Sequence, residues 1–169
     1  MVTPLQPKEF FRGLWTGEGE LSPHPLLRWL IPRERFRFYS EPIRLSETIW
    51  LVKDRMEFAS GRVLARKMFS ELVAPDRLHV TADDMPLGAD ILLHSKGFRF
   101  TPYYILVAAR DGGRVHRLRC LDECLLDEAG FLHDTIRMYY CGVPVATMRI
   151  GPIGRNGDPL DTARGQASR

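Results

Sequence analysis

The chain has 169 residues, of which 44% are hydrophobic and 27% charged, with 24 basic residues against 21 acidic ones. This composition lies near the globular average, so it excludes a disordered, collagen-like or coiled-coil chain, and the length suits one domain. The stretch 28–37 holds four arginines against one glutamate and so contains the whole excess charge. A nucleic-acid-binding domain normally spreads many basic residues over one face, so we expect no nucleic-acid partner.

Short runs that alternate apolar and polar residues follow one another along the chain, which predicts strands rather than helices. The predicted strands cover residues 14–21, 35–42, 47–58, 62–73 and 78–81, a segment through Ile91, and then 98–110, 115–126, 131–140 and 143–150. The sharpest hairpin signal is Asp111-Gly112-Gly113, whose residues tolerate positive φ.

Sequential hairpins of this kind can close a sheet and remove its edges. We therefore predict an all-β fold, an up-and-down antiparallel barrel of about eight to ten strands, with a Greek-key sandwich as the alternative. From Gly151 onward almost no large apolar side chain remains. This predicts a barrel domain over residues 10–151 and a disordered tail over 152–169.

The connection between the first two strands is unusually apolar and lies between Pro25 and Pro32, which predicts a short helical cover. It is either a plug packed on the barrel or a portal that touches a membrane transiently while its arginines meet anionic headgroups. The predicted portal residues are Leu26, Leu27, Arg28, Trp29, Leu30, Arg33 and Arg35.

Three cysteines, Cys120, Cys124 and Cys141, form no CxxC pair, so neither a zinc site nor a disulfide framework is indicated. Asp83 and Asp84 precede Met-Pro, which is typical of a turn rather than of a metal site. The first residues lack the pattern of a signal peptide, and no stretch approaches the roughly 20 apolar residues of a membrane-spanning helix. We expect a cytoplasmic, soluble protein without a metal.

The segment Gly13-Leu14-Trp15-Thr16-Gly17-Glu18-Gly19-Glu20 resembles the Gly-x-Trp opening of the calycin superfamily, which includes lipocalins, fatty-acid-binding proteins and the haem-binding nitrobindins. The resemblance implies a barrel whose base is closed by Trp15.

A wider pattern is similar to an uncharacterised bacterial family of calycin-like barrels over roughly residues 10–151. It consists of Phe10-Phe11-x-Gly13, Ala82-Asp83-Asp84-Met85 with Gly88, and Leu121-Asp122-Glu123 through Asp127, Gly130 and Leu132. Glu18 stands where many relatives carry Trp, and His133-Asp134 stands where an Asn-Arg pair is usual. The resemblance implies a fold without implying a reaction.

A four-residue loop at 127–130 would pair Leu125 with Leu132, Glu123 with Asp134, Leu121 with Ile136 and Arg119 with Met138, on an inward face. Arg119 would then anchor a ligand carboxylate through its bidentate fork, as the resemblance to fatty-acid-binding barrels implies. The alternatives are a structural ion pair, or an outward Arg119 after a one-residue slip.

The opposite face would pair Cys124 with His133 and place Asp122 nearby. A thiol, an imidazole and a carboxylate are the groups that activate a nucleophile. The trio would face outward, without a cleft, so it carries little weight.

These patterns favour non-catalytic binding of a hydrophobic or amphipathic small molecule, lipid-like and in one form carboxylate-bearing, with no cofactor. The predicted cavity residues are Trp15, Phe36, Phe38, Trp50, Tyr104 and Met138, with Arg119 as anchor. Two alternatives stay open: haem binding, for which His133 is the nearest histidine, and an isomerase or hydrolase acting on a lipid through Asp122, Cys124 and His133.

Overall fold

The computed structural model describes residues 11–108 and 114–155, which form eleven strands and one 3-10 helical turn, Pro25–Leu27. The strands are β1 (Trp15–Pro23), β2 (Glu34–Arg44), β3 (Ile49–Phe58), β4 (Val63–Ala74), β5 (Arg77–Ala82), β6 (Met85–His94), β7 (Gly97–Phe100), β8 (Tyr103–Ala108), β9 (Val115–Leu126), β10 (Leu132–Tyr140) and β11 (Val143–Arg155).

The strands form one antiparallel sheet that closes on itself. The strands from β1 to β7 each pair with the next strand in sequence, β9 pairs with β10, β10 pairs with β11, and β11 pairs with β1. Strands β7 and β8 pair with different parts of β9 and so share one position in the ring. The result is a closed ten-stranded up-and-down barrel, which confirms the predicted fold class.

The alternating sequence explains which side chains fill the interior. On β3, for example, Trp50, Val52 and Phe58 are buried, whereas Lys53 and Arg55 between them are exposed. Such period-two patterning places every second residue inside. At the end of the barrel where β1 begins, the ring of Phe11 stacks on Trp50 with centroids 4.9 Å apart and covers the core.

Two predicted boundaries differ from the structure. The segment predicted as one strand over 98–110 is interrupted at Pro102, which cannot donate to a ladder. Strand β6 begins at Met85, directly after the predicted turn at Asp83 and Asp84. Strand β11 continues to Arg155 and buries Ile153, so the chain stays ordered beyond residue 151. The hairpin at 111–113 and residues 156–169 lie outside the described residues.

The predicted register of β9 and β10 is wrong by one residue. Leu126 pairs with Leu132 and Cys124 with Asp134, because Phe131 belongs to the loop. The Asp127 carboxylate Oδ1 accepts hydrogen bonds from the backbone N–H groups of Ala129 and Phe131, both at 2.9 Å. The loop therefore contains one residue more than predicted. The side chains of β9 consequently lie on the opposite face from the one predicted, whereas Leu132, Asp134 and Ile136 of β10 face inward as predicted.

The predicted cover after β1 forms, but it does not plug the barrel. Leu26, Trp29 and Leu30 are 77%, 83% and 60% exposed. Leu27 is half-buried, and the indole N–H of Trp29 donates to the backbone oxygen of Leu26 at 3.1 Å. These apolar side chains therefore project into solvent.

Among the described residues, none belongs to a helix with the length and apolar character needed to span a bilayer.

Candidate functional site

The barrel interior holds a cavity of about 130 Å³. Its walls are mostly apolar and aromatic, and they come from nearly every strand. The apolar lining includes Phe38, Val52, Met68, Val80, Ile91, Phe98, Leu132 and Ile150. A concave, mostly apolar space of this kind is the usual form of a small-molecule site.

Three aspartates interrupt the apolar wall: Asp54 of β3, Asp122 of β9 and Asp134 of β10. Tyr103 of β8 donates its hydroxyl to Asp122 Oδ2 at 2.8 Å. The carboxyl groups of Asp122 and Asp134 contact each other, and the hydroxyl of Ser40 bonds Asp54. We call Asp54, Asp122, Asp134 and Tyr103 the interior acidic cluster.

Burial makes the charged form of these carboxyl groups costly. It raises the pKa of Asp54 to about 6, although Ser40 and Arg66 act in the opposite direction. Burial also raises the pKa of Asp122 and of Asp134, and the proximity of Asp122 raises the pKa of Asp134 further. Two carboxyl groups in contact share a proton more readily than both ionise. The Asp122–Asp134 pair therefore retains a proton at a pH where exposed aspartates are charged.

Each aspartate keeps one buried oxygen without a hydrogen-bond donor among the described residues: Oδ1 of Asp54, Oδ1 of Asp122 and Oδ1 of Asp134. Buried polar atoms are rarely left unpaired, because each costs about 1–3 kcal/mol. A shared proton relieves part of this cost for the pair. The three aspartates lie in the wall of the cavity, and no donor among the described residues completes the hydrogen bonding of these oxygens.

Arg66 of β4 is the one cation among the described residues that line the cavity. Its Nε donates to Asp84 Oδ1 at 2.9 Å, in a half-exposed ion pair at the β5–β6 turn. Asp84 thus lies in a turn, as the sequence suggested for Asp83 and Asp84, and it also forms an ion pair that was not predicted. Within the described ranges 11–108 and 114–155, no group of three or more His, Cys, Asp or Glu side chains is placed to hold a metal ion.

The seven predicted ligand-binding residues divide into three groups. Trp15 and Phe38 line the cavity. Phe36, Trp50 and Met138 are buried in the core but lie outside the cavity lining. Tyr104 and Arg119 are on the outer face of β8 and β9, where they pair with each other.

The outward position of Arg119 corrects the predicted anchor. In the observed register Arg119 pairs with Tyr139 of β10 and is exposed, because the longer loop moves it to the outer face. Tyr104 lies outside as well, with the guanidinium of Arg117 3.8 Å from the centre of its ring. The interior of the described barrel therefore offers a carboxylate ligand no arginine at the predicted position.

The predicted trio of Asp122, Cys124 and His133 does not assemble. Asp122 and Cys124 face inward, whereas His133 is exposed and its Nε2 lies 2.9 Å from Asp127 Oδ2. Burial raises the pKa of the Cys124 thiol far above its usual range, so the thiol is a poor nucleophile.

Haem does not fit the residues present. His133, the predicted iron ligand, points away from the interior, and the described residues lining the cavity include no histidine.

The cover after β1 borders a surface cleft lined by Glu20, Ser22, Pro23, Arg28, Arg33 and Arg149. Arg33 forms an ion pair with Glu20 at 2.8 Å. The cleft therefore contains three arginines and one glutamate. It lies next to the exposed side chains of Leu26 and Trp29.

The interior acidic cluster has a signal in the sequence, although of its three aspartates only Asp134 was predicted to face inward. Inward positions on β3 read Val52-x-Asp54-x-Met56, and on β10 they read Leu132-x-Asp134-x-Ile136. A single charged residue at the centre of an otherwise apolar face marks an internal polar site. Asp54 and Asp134 can be found in this way without any knowledge of the register between strands.

No protein-family model matches this chain. No curated protein matches its sequence. A solved structure of a protein of unknown function from the DUF3598 family of Nostoc punctiforme PCC 73102 is similar to it, with a TM-score of 0.53 and 17% identity over 88% of this chain. The match covers 49% of that protein, so this chain spans about half its length. The likeness extends to the fold alone.

Proposed function

We propose that this calycin-like barrel binds a hydrophobic or amphipathic small molecule in its interior and performs no catalysis on it. The observation that supports this proposal is an apolar cavity whose wall contains buried carboxylate oxygens without hydrogen-bond donors among the described residues. A dry core would avoid such atoms. The resemblance of residues 13–20 to the opening of calycin barrels, which contain ligands, supports the same function.

The volume of the cavity favours a compact ligand. An apolar cavity of about 150 Å³ accommodates benzene, whereas most ligand sites have roughly 300–1,000 Å³. The cavity of about 130 Å³ suits one ring or a short branched chain, or the compact part of a larger molecule. A carboxylate-bearing lipid suits it poorly, because three aspartates line the wall and Arg119 lies outside.

Ligand-observed NMR with toluene and benzyl alcohol tests this function. Both compounds should show saturation transfer from the wild-type protein. Ser70 is buried on β4 and lines the cavity, so Ser70→Leu should fill the space and abolish the signal.

Thr81→Leu is the matched control, since it adds similar bulk at an exposed position on β5. Binding that survives in the Ser70→Leu protein, or its absence from the wild type, would contradict the proposal.

A transient membrane contact is the second function that an observation favours. The exposed Leu26, Trp29 and Leu30 are flanked by the arginine cleft, and this pairing of apolar and cationic groups suits an anionic lipid surface. Each basic residue near such a surface contributes about 1 kcal/mol, and salt screens the attraction. The cover residues do not line the cavity, so a role in ligand access stays a prediction.

Co-sedimentation with vesicles tests the contact. Wild-type protein should bind vesicles containing phosphatidylserine at low salt and should not bind vesicles of phosphatidylcholine alone. The triple variant Arg28→Ser, Arg33→Ser, Arg35→Ser should lose binding.

The control variant Arg44→Ser, Arg77→Ser, Arg99→Ser removes the same charge at exposed positions elsewhere. Equal loss of vesicle binding in the two triple variants would show that net charge alone is responsible. It would contradict a specific membrane contact through the cover after β1.

A further inference from the structure

We propose that the interior acidic cluster selects ligands whose polar group is a cationic amine, attached to a compact apolar body. This inference rests on the proposed function and specifies its ligand class.

The first support is geometric. Asp122 is 7% exposed, its Oδ2 is satisfied by Tyr103, and its Oδ1 has no donor among the described residues. Asp54 and Asp134 each contribute a further buried oxygen that has no hydrogen-bond donor among the described residues. An ammonium group carries three N–H donors and no acceptor, so it can satisfy several of these oxygens at once.

The second support is charge. Three aspartates line the cavity against one cation among its described lining residues, Arg66. The Nε of Arg66 pairs with Asp84, and its buried Nη2 has no acceptor among the described residues, so the aspartates outnumber the cation. A bound ammonium would compensate a carboxylate that burial otherwise disfavours. A carboxylate ligand would meet like charges, and a neutral alcohol could donate a single hydrogen bond.

The apolar walls of the cavity determine the chemical character of the rest of the ligand. Phe38, Val80 and Ile91 offer apolar surface to the body of the molecule, while the charge lies at one place. The net charge of the whole chain is +3, so general attraction of cations to the protein surface does not favour an amine.

Three compounds with the same ring separate the possibilities: benzylamine, benzyl alcohol and benzoate. Calorimetry near neutral pH on the full chain should show benzylamine binding about tenfold more tightly than benzyl alcohol, and benzoate not binding. Asp122→Asn should weaken benzylamine about tenfold and change benzyl alcohol by less than about threefold.

Glu123→Gln is the matched control, because Glu123 is the exposed neighbour on the same strand, and it should change neither affinity. Asp54→Asn provides a second interior variant, and thermal melts establish that each protein is folded. Equal affinity for amine and alcohol, or an amine affinity insensitive to both interior variants, overturns this inference and leaves the proposed function standing. Failure of all three compounds to bind overturns both.

Discussion

The hydroxyl of Tyr103 donates a 2.8 Å hydrogen bond to Asp122 in the barrel interior. This bond satisfies one carboxylate oxygen, and it lowers the pKa of Asp122 against the larger, raising effect of burial. Tyr103→Phe should therefore destabilise the protein by about 1–3 kcal/mol, the cost of an unsatisfied buried acceptor.

The same substitution has a definite pH dependence. Without the Tyr103 donor the pKa of Asp122 rises further, so the loss of stability is larger near pH 8 than near pH 5, where Asp122 is protonated. Urea unfolding of the wild type and of Tyr103→Phe at both pH values measures this difference in the free energy of unfolding. Tyr104→Phe, at the next position on the outer face of β8, is the control; a similar loss there would contradict a specific role for the interior bond.

Asp54→Asn should stabilise the protein at neutral pH. The pKa of Asp54 is about 6 in the fold against an ordinary value of 3.8, so the native state holds the proton more tightly than the unfolded chain. That stabilising effect is complete below about pH 4 and is lost as the pH rises through about 6. Asparagine lacks the buried charge, so the gain near pH 7 is on the order of 1–3 kcal/mol and vanishes near pH 4.

Glu71→Gln on the exposed face of β4 serves as the comparison for Asp54→Asn in thermal unfolding across this range. A stability difference between wild type and Asp54→Asn that does not change with pH would exclude a buried, readily protonated carboxyl group.

Gly97 holds β7 close to β9. Its φ is +138°, and a Cβ there would overlap the backbone oxygen of Cys124. Gly97→Ala should cost at least about 2 kcal/mol, because strain and overlap add.

Gly61 is the control that separates backbone strain from steric overlap. It also has a positive φ, +84°, but no atom lies within 4 Å of an added Cβ. Gly61→Ala should cost only about 1 kcal/mol. Equal unfolding midpoints for the two alanine proteins would show that the close approach at Gly97 is absent.

The three thiols should differ sharply in reactivity. Cys141 is exposed, whereas burial raises the pKa of Cys120 to about 12 and that of Cys124 higher still. Since the thiolate is the reactive form, native protein should show one fast phase with a disulfide reagent, at least about 100-fold faster than the rest. Cys141→Ser should abolish that phase. Rapid reaction of all three thiols in the native protein would contradict the inward face of β9.

The strands were predictable because alternation and turn residues are local signals. Strand β9 has the predicted bounds, and most others agree to within a residue or two. The register of β9 and β10 was not predictable, since it depends on the Asp127 carboxylate holding the N–H of Phe131 and enlarging the loop by one residue. That single hydrogen bond decides whether Arg119 or Asp122 lies inside.

The cavity required the three-dimensional structure for a related reason. Trp15 and Phe38 could be identified from an apolar strand face, but Phe36 and Trp50 have the same pattern and lie outside the lining. Which inward residues border a void depends on how side chains from opposite walls meet. No pattern within one strand contains that information.

A crystal structure of the full chain with benzylamine, grown near neutral pH, tests the central claim most directly. We expect the aromatic ring to lie between Phe38 and Ile91, with the amine nitrogen within hydrogen-bond distance of Asp122. An interior closed by the side chains of Phe38 and Met68, or a benzylamine bound only at the outer surface, would contradict it.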